Sequence, residues 1–221
     1  MAETLERSRL HVEGTDDQNS LVHLLRRNGV DYHPDKFEDS PSHLPRFVQL
    51  RSVEKLLDGI ETTVKTSTNR IVGFLLDADQ PLANRWQSVS QRLKNVGVGD
   101  LPDSPPANGF IGESAQFKAR VGVWLMPDNV RDGKLEDFLK TLIEEHDPLI
   151  VHAEASTQLA KEKGAAFSEI DKIKAIIHAW LAWQKEPGLP YGLAVKAKYF
   201  RHDSPTAAVF VEWFKTLYRI S

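Results

Sequence analysis

The chain has 221 residues, 41% hydrophobic and 27% charged, with a formal net charge of −3; that length suits one α/β domain with elaborations, or one domain plus a small helical appendage, and leaves two full domains cramped. The absence of cysteine removes disulfides, zinc ribbons and thiol nucleophiles together, and the slightly negative charge supplies no whole-protein basic field, so any nucleic-acid contact must use local basic patches. The first residues, Met1 to Arg7, are charged rather than apolar, and no segment approaches the roughly 20 apolar residues of a membrane span, which predicts a soluble, cytoplasmic protein without internal repeats or low-complexity tracts.

In chain order, Ser8 to Val12 predicts a short strand running into Glu13-Gly14-Thr15-Asp16-Asp17. From Asp17 onward Leu21, Leu24 and Leu25 recur at helical spacing, with Val22 beside them, up to an Asn28-Gly29 stop. Gly14 permits the bend that turns a strand straight into a helix, and Thr15 or Asp16 can serve as N-cap. Glu13 therefore stands at the carboxyl end of a strand. Alone, that is an ordinary strand-to-helix turn; beside other acidic strand tips it becomes a candidate site residue. Residues 30–45 are polar and read as a surface loop, and the histidines His33 and His43 follow no recognised ligand spacing. Phe47 to Leu50 is a short strand, and Ser52 caps the helix that opens with Val53-Glu54-Lys55-Leu56-Leu57.

The strongest local signal is Arg70 to Asp79, a continuous apolar and β-branched run that stops at Asp77-Ala78-Asp79. Such a run suits a central parallel strand, both of whose faces are covered by helices. Ligands of open α/β sheets gather beyond the carboxyl ends of the strands. Strand alternation places Asp77 and Asp79 on one side with Ala78 turned away. Two carboxylates that close repel each other, and hard cations such as Mg²⁺ favour oxygen ligands of this kind; the competing use is to cap the next helix and its dipole. That helix runs from Ala83 to Val96, with Arg85 in its first turn, placed either to hold a phosphate or to pair with Asp79.

Residues 97–112 are rich in glycine and proline and read as a loop or hairpin, with Phe110-Ile111 and Phe117 to Ala119 as short edge strands. Arg120 to Met126 is another apolar strand, ending in Pro127-Asp128-Asn129, so Asp128 is a third strand-tip acid. After Asp132-Gly133 a helix carries Leu135, Phe138, Leu139, Leu142 and Ile143 on its apolar stripe, with Glu136 in its first turn, where an acid is common for dipole reasons alone. Ala153 to Lys163 predicts a short polar helix. Ala166 to Lys185 predicts a long amphipathic one, its apolar face formed by Ile170, Ile173, Ile177, Trp180 and Leu181, with His178 as a structural residue. Residues 194–202 alternate cations and aromatics, including Lys196 and Lys198, as backbone-tracking sites for single strands do, although a half-exposed segment reads the same way. A last helix from Thr206 to about Leu217 is expected to bury Val209, Phe210, Trp213 and Leu217.

Val12-Glu13-Gly14 with Asp16-Asp17, followed by Leu76-Asp77-Ala78-Asp79, resembles the two signatures of the Toprim domain, which is found in topoisomerases, bacterial primases, small ribosomal-RNA maturases and the overcoming-lysogenization-defect nucleases. Four further blocks resemble a family of short stand-alone Toprim-like bacterial proteins of undefined role: Arg85-Trp86, Val123 to Asn129 with Gly133, Leu135 and Glu136, then Ala182-Trp183-Gln184, and Tyr199-Phe200. On this view the similarity covers nearly the whole chain. It implies an α/β fold with a mainly parallel four-stranded sheet over residues 1–150 and a helical C-terminal extension over residues 151–221 packed on it. It implies Glu13, Asp77 and Asp79 as the acids that bind Mg²⁺ or Mn²⁺, with Glu13 also assigned to proton transfer. As in the nuclease branch, Asp17 and Glu136 extend the site to a second metal, with Asp128 as a further ligand.

The chain departs from the Toprim pattern where a glycine often follows the paired aspartates, since Gln80-Pro81-Leu82 stands there. No glycine-rich loop with Gly-Lys-Ser or Gly-Lys-Thr is present, so an ATPase acting with this protein would be another chain. Lack of cysteine disfavours a zinc-dependent primase, and the length disfavours a topoisomerase. The expected function is metal-dependent phosphoryl transfer, as a nuclease cleaving DNA or RNA, with Arg85, Lys196 and Lys198 as candidate phosphate contacts. The alternative is a non-catalytic Toprim-like module that recognises a partner protein, as a homodimer or in a complex.

Overall fold

The computed structural model describes residues 7–79 and 81–221; the charged start of the chain and Gln80 lie outside the described residues. Among the described residues five strands form one sheet: β1 (Arg9–Val12), β2 (Arg46–Gln49), β3 (Ile71–Asp77), β4 (Phe110–Ser114) and β5 (Ala119–Met126). Their spatial order is β2-β1-β3-β5-β4. β2, β1, β3 and β5 are mutually parallel, and β4 alone runs antiparallel to its neighbour β5. The expectation of four strands is thus corrected to five. The fifth is the end of the glycine- and proline-rich stretch, where Ser114 Oγ donates to the Val96 carbonyl at 2.5 Å and Val98 bridges back to Ser114. It opens on Phe110-Ile111, expected as a short edge strand, and runs on to Ser114, although only Phe110 gives it a large buried apolar anchor.

Among the described residues eight α-helices accompany the sheet: α1 (Thr15–Arg27), α2 (Val53–Lys65), α3 (Leu82–Asn95), α4 (Leu135–Lys140), α5 (Pro148–Glu162), α6 (Lys172–Ala182), α7 (Tyr191–Lys196) and α8 (Pro205–Tyr218). On one face α2 and α3 bury Leu56, Ile60, Trp86, Val89 and Leu93 against Val72, Phe74 and Leu76 of β3 and Val121, Val123 and Leu125 of β5. On the other, α1 and the helices from α4 onward close over Leu10, Val12, Leu75, Trp124 and Met126. Period-two alternation explains the division, because neighbouring residues of a strand face opposite layers. The C-terminal helices therefore share one core with β1, β3 and β5.

Two paired glycines let α8 approach. Gly73 and Gly122 are register partners on β3 and β5, and Leu217 and Tyr218 of α8 lie on them. Tyr218 Oη donates to the Arg9 carbonyl at 2.7 Å, a bond that no side chain at Gly73 would leave room for.

Local starts and stops follow the sequence with some shifts. Ser52 caps α2 by accepting from the Lys55 N–H at 3.2 Å, as expected. The N-cap of α1 is Gly14 instead of Thr15 or Asp16, because the Asp17 carboxylate folds back onto the Gly14 N–H at 2.7 Å. The long helix expected over residues 166–185 is a 3-10 turn, Glu169–Asp171, followed by the shorter α6. Ser168 Oγ accepts from the Asp171 N–H at 3.2 Å and resets the chain there, which leaves Ile170 77% exposed instead of on the apolar face. In α8 the buried stripe is Phe210, Trp213, Phe214 and Leu217, and Val209, one position out of phase, is exposed.

Candidate functional site

The chain leaves β1, packs α1 on one face, returns as β2, then crosses by α2 on the other face to β3 on the far side of β1. The order reverses between β1 and β3, and a crevice opens beyond strand ends at such a switch point. Glu13 follows β1 and Asp77 ends β3 there. They line a cleft of about 520 Å³ with Gly14, Thr15, Asp17, Gln49, Arg51 and Glu136.

Backbone N–H groups hold three of these carboxylates. Glu13 Oε1 accepts from the Asp77 N–H at 3.0 Å, Asp77 Oδ1 from the Leu135 N–H at 3.0 Å, and Asp17 Oδ2 from the Gly14 N–H at 2.7 Å. Each of these bonds uses one oxygen of its carboxylate. Asp17 and Glu136 come from the first turns of α1 and α4, whose N-terminal dipoles favour negative charge. Asp17 is 7% and Glu136 6% exposed, so the protein, with little water, supplies their electrostatic support: the helix termini, the Gly14 N–H for Asp17, and Tyr191 and Lys174 for Glu136.

That support does not hold Asp77, Asp17 and Glu13 at their ordinary carboxylate values. Burial, then the charges of Glu13, Asp17, Glu136 and Asp79, push Asp77 up to about 9. Burial raises Asp17 to about 7 against its Gly14 hydrogen bond, with Glu13 and Glu136 adding repulsion. Glu13 is also raised, chiefly by burial and despite the Asp77 N–H. These groups resist sharing a cleft as anions, the condition that a bound cation relieves.

The remaining candidates lie elsewhere. β3 ends at Asp77, and Asp79 has φ +55° and bonds its N–H to the Gly133 carbonyl at 3.1 Å. Strand alternation therefore does not govern Asp79, a correction to the expectation that the two aspartates share a side. Its carboxylate is paired with Arg85, whose Nε donates to the Asp77 carbonyl at 3.0 Å. Of the two uses expected for Arg85, the structure displays the pairing. Asp128 is occupied by its own turn: it accepts from the Val130 and Arg131 N–H groups and pairs with the Arg131 side chain at 2.6 Å. Lys196 pairs with Asp35 at 2.6 Å, beside His23, about 9 Å along α1 from Asp17 at the helical rise. Residues 194–202 are not extended: α7 ends at Lys196, Lys198 takes φ +67°, and Phe200 is fully buried.

Several residues that the sequence reading did not single out belong to this neighbourhood. Arg51 and Gln49 follow and end β2, so the same strand-end rule that picked Glu13 would have found them. Gln49 bonds to Thr15 Oγ1 at 3.0 Å and to Gln18 at 2.8 Å. Tyr191 of α7 reaches Glu136 Oε1 at 3.4 Å, and Lys174 of α6 lies 3.7 Å from the same oxygen. Sequence carries no spacing signal for these, since 38 or more residues separate them from Glu136.

A family model described as "Protein of unknown function (DUF3226)" matches residues 7–219. The chain belongs to the DUF3226 family. The match spans sheet, acidic cleft and C-terminal helices alike, so the cleft lies within the segment that defines DUF3226. No curated protein and no solved structure matches the chain. Among the described residues, no group of three or more His, Asp or Glu side chains stands in the geometry of a formed metal site, and no helix is long and apolar enough to cross a membrane.

Proposed function

We propose that this DUF3226 protein is a metal-dependent phosphoryl-transfer enzyme, a nuclease acting on DNA or RNA phosphodiesters, on a Toprim-like scaffold. The observation that carries this reading is the set of four carboxylates, Glu13, Asp17, Asp77 and Glu136, gathered at the switch point between β1 and β3 with Asp17 and Asp77 forced towards the protonated form. A fold needs no such group, and burying it costs stability. The donor set is all oxygen, which fits Mg²⁺ or Mn²⁺, and the ion would supply charge stabilisation at a phosphoryl oxygen. The four acids would hold it, Glu13, Asp17 and Asp77 each through the oxygen not bound to a backbone N–H. Asp79 lines a neighbouring hollow and is paired with Arg85, so it would join them only after Arg85 releases it. Arg51, on the rim of the cleft, is placed to receive a substrate phosphate.

The test is a thermal melt of wild type and Asp77→Ala with and without Mn²⁺ or Mg²⁺, with plasmid DNA and single-stranded RNA incubated in parallel. A metal-dependent rise in wild type only, with cleavage of one substrate, is the expected result. An Asp77→Ala protein that responds to metal as wild type does would remove the assignment.

A second reading, a module that binds a partner protein such as a separate ATPase or a second copy, has one observation in its favour. Of the eight exposed large hydrophobics among the described residues, seven (Leu149, Val151, Leu159, Ile170, Trp183, Leu193 and Val209) lie in the C-terminal third. A well-folded dimer or complex with no metal response in the same melts would select it.

A further inference from the structure

We propose that Tyr191 is a positioning residue for the acidic centre: its hydroxyl, oriented by His178, holds Glu136 so that one carboxylate oxygen is presented to a divalent cation in the cleft. The proposal rests on reading that cleft as a metal site and names what completes it from the C-terminal helices.

Glu136 enters from α4, on the sheet side of the molecule, whereas Tyr191 opens α7 more than fifty residues later. α7 is fixed against α1 by a close approach, since a Cβ on Gly192 would stand 3.0 Å from the Asn19 carbonyl carbon. That contact sets the tyrosine beside the first turn of α1, where Asp17 also originates. Tyr191 is 2% exposed. Its hydroxyl lies 3.4 Å from Glu136 Oε1 and 3.2 Å from His178 Nε2, and its ring stacks on the His178 ring at 5.0 Å and 27°. Lys174 Nζ is 3.7 Å from the same Oε1. Tyrosine and lysine both address one oxygen of Glu136, which leaves the other as the donor for a cation.

Donor bookkeeping gives the chain a direction. An ionised carboxylate only accepts and a tyrosine has a single O–H. With Glu136 charged, the Tyr191 O–H donates to it, and the tyrosine oxygen then accepts from a His178 Nε2–H. Partners that orient a metal-binding carboxylate in this way tune affinity without touching the ion. His178, which shows no ligand spacing in the sequence, gains a role as the outer member of this chain, with Tyr191 between it and the cleft.

The experiment is Mn²⁺ titration by isothermal calorimetry of wild type, Tyr191→Phe, Glu136→Gln and the double variant, each also melted in EDTA. Tyr191→Phe keeps the ring and its stacking and removes only the hydroxyl, so its metal-free melt should stay cooperative and fall by no more than the few degrees that lost hydrogen bonds cost. Its Mn²⁺ affinity should fall about 10- to 100-fold, and the loss should vanish in the Glu136→Gln background. As an independent readout, Mg²⁺ should shift the ¹⁵N resonances of His178 towards the Nε2–H form in wild type and leave them unchanged in Tyr191→Phe. Equal affinities for wild type and Tyr191→Phe, or losses that simply add in the double variant, would overturn the positioning role while leaving the metal site standing. Wild type that binds no Mn²⁺ would overturn the metal reading itself, and this proposal with it.

Discussion

Replacing Asp77 by asparagine should stabilise the metal-free protein. Asp77 has an ordinary value of 3.8 and is pushed up to about 9 by burial and by Glu13, Asp17, Glu136 and Asp79. At pH 7 the unfolded chain carries the ionised carboxylate and the folded chain carries the neutral acid. The mismatch spans about three pH units, or about 4 kcal/mol at 1.36 kcal/mol per unit. Partial exposure of Asp77 and sharing of charge with Glu13 reduce this to about 2–4 kcal/mol. Asparagine is neutral in both states and keeps an oxygen for the Leu135 N–H, which Asp77 Oδ1 accepts at 3.0 Å. For a chain of this size, the gain corresponds to roughly 5–15 °C in melting temperature. The sign follows from the raised value: between 3.8 and about 9 the folded state binds the proton that the unfolded state has lost. This contribution to wild-type stability is therefore complete at low pH and lost as pH rises through that window. Melts in EDTA from pH 4.5 to 8.5 should show Asp77→Asn and wild type converging at the acid end and separating towards alkali. A variant no more stable than wild type at pH 7.5, or a gap that does not narrow towards pH 4.5, would refute the reasoning. Saturating Mg²⁺ should close the gap by stabilising wild type alone.

Other perturbations probe residues other than the four carboxylates. His11 is 5% exposed, lies 5.4 Å from the Phe74 ring and has no hydrogen-bond partner for either ring nitrogen among the described residues. Burial, then Arg9, lowers it from 6.5 to about 4, so the unfolded state binds the extra proton in that window and stability falls as pH drops through it, by up to about 3 kcal/mol. His11→Phe should remove this acid-limb loss, measured as the difference between its melts and those of wild type at pH 4.5 and 7. Gly73→Ala would place a Cβ 2.5 Å from Tyr218 Oη and 2.8 Å from Leu10 Cδ1; urea unfolding should show a loss of about 1–3 kcal/mol from overpacking. Ser52→Ala removes the cap that accepts from Lys55 and should cost about 1 kcal/mol in the same assay.

Much of the architecture follows from local patterns. The apolar runs ending at Val12, Asp77 and Met126 are strands because β-branched and aromatic residues fill a surface covered on both sides, and Glu13 and Asp77 sit at their ends because the runs stop there. β4 was only partly legible, since edge strands need little apolar content and this one is held by Ser114 and Val98. Ile170 and Val209 bear the expected residue type at the expected spacing, yet both are exposed. In each case a neighbouring feature shifts the helical phase: the Ser168 cap for one, the Phe210 stripe for the other.

By itself, the sequence determined an α/β chain without cysteine, with a central parallel strand and acids at two strand tips. These properties depend on residue type and on periods of two or 3.6, which act over a few positions. No local pattern decided which acids share a cleft: only the resemblance grouped Asp17 and Glu136 with Glu13 and Asp77, and it also included Asp79 and Asp128. Asp17 and Glu136 join Glu13 and Asp77 because two helices start over one switch point, whereas Asp79 is turned by a left-handed backbone onto Arg85 and Asp128 is held by its own turn. The same holds for Tyr191, brought to Glu136, and for His178, brought to Tyr191, by the packing of α6 and α7. Contacts between residues far apart in the chain depend on how whole elements dock, and no local pattern encodes that.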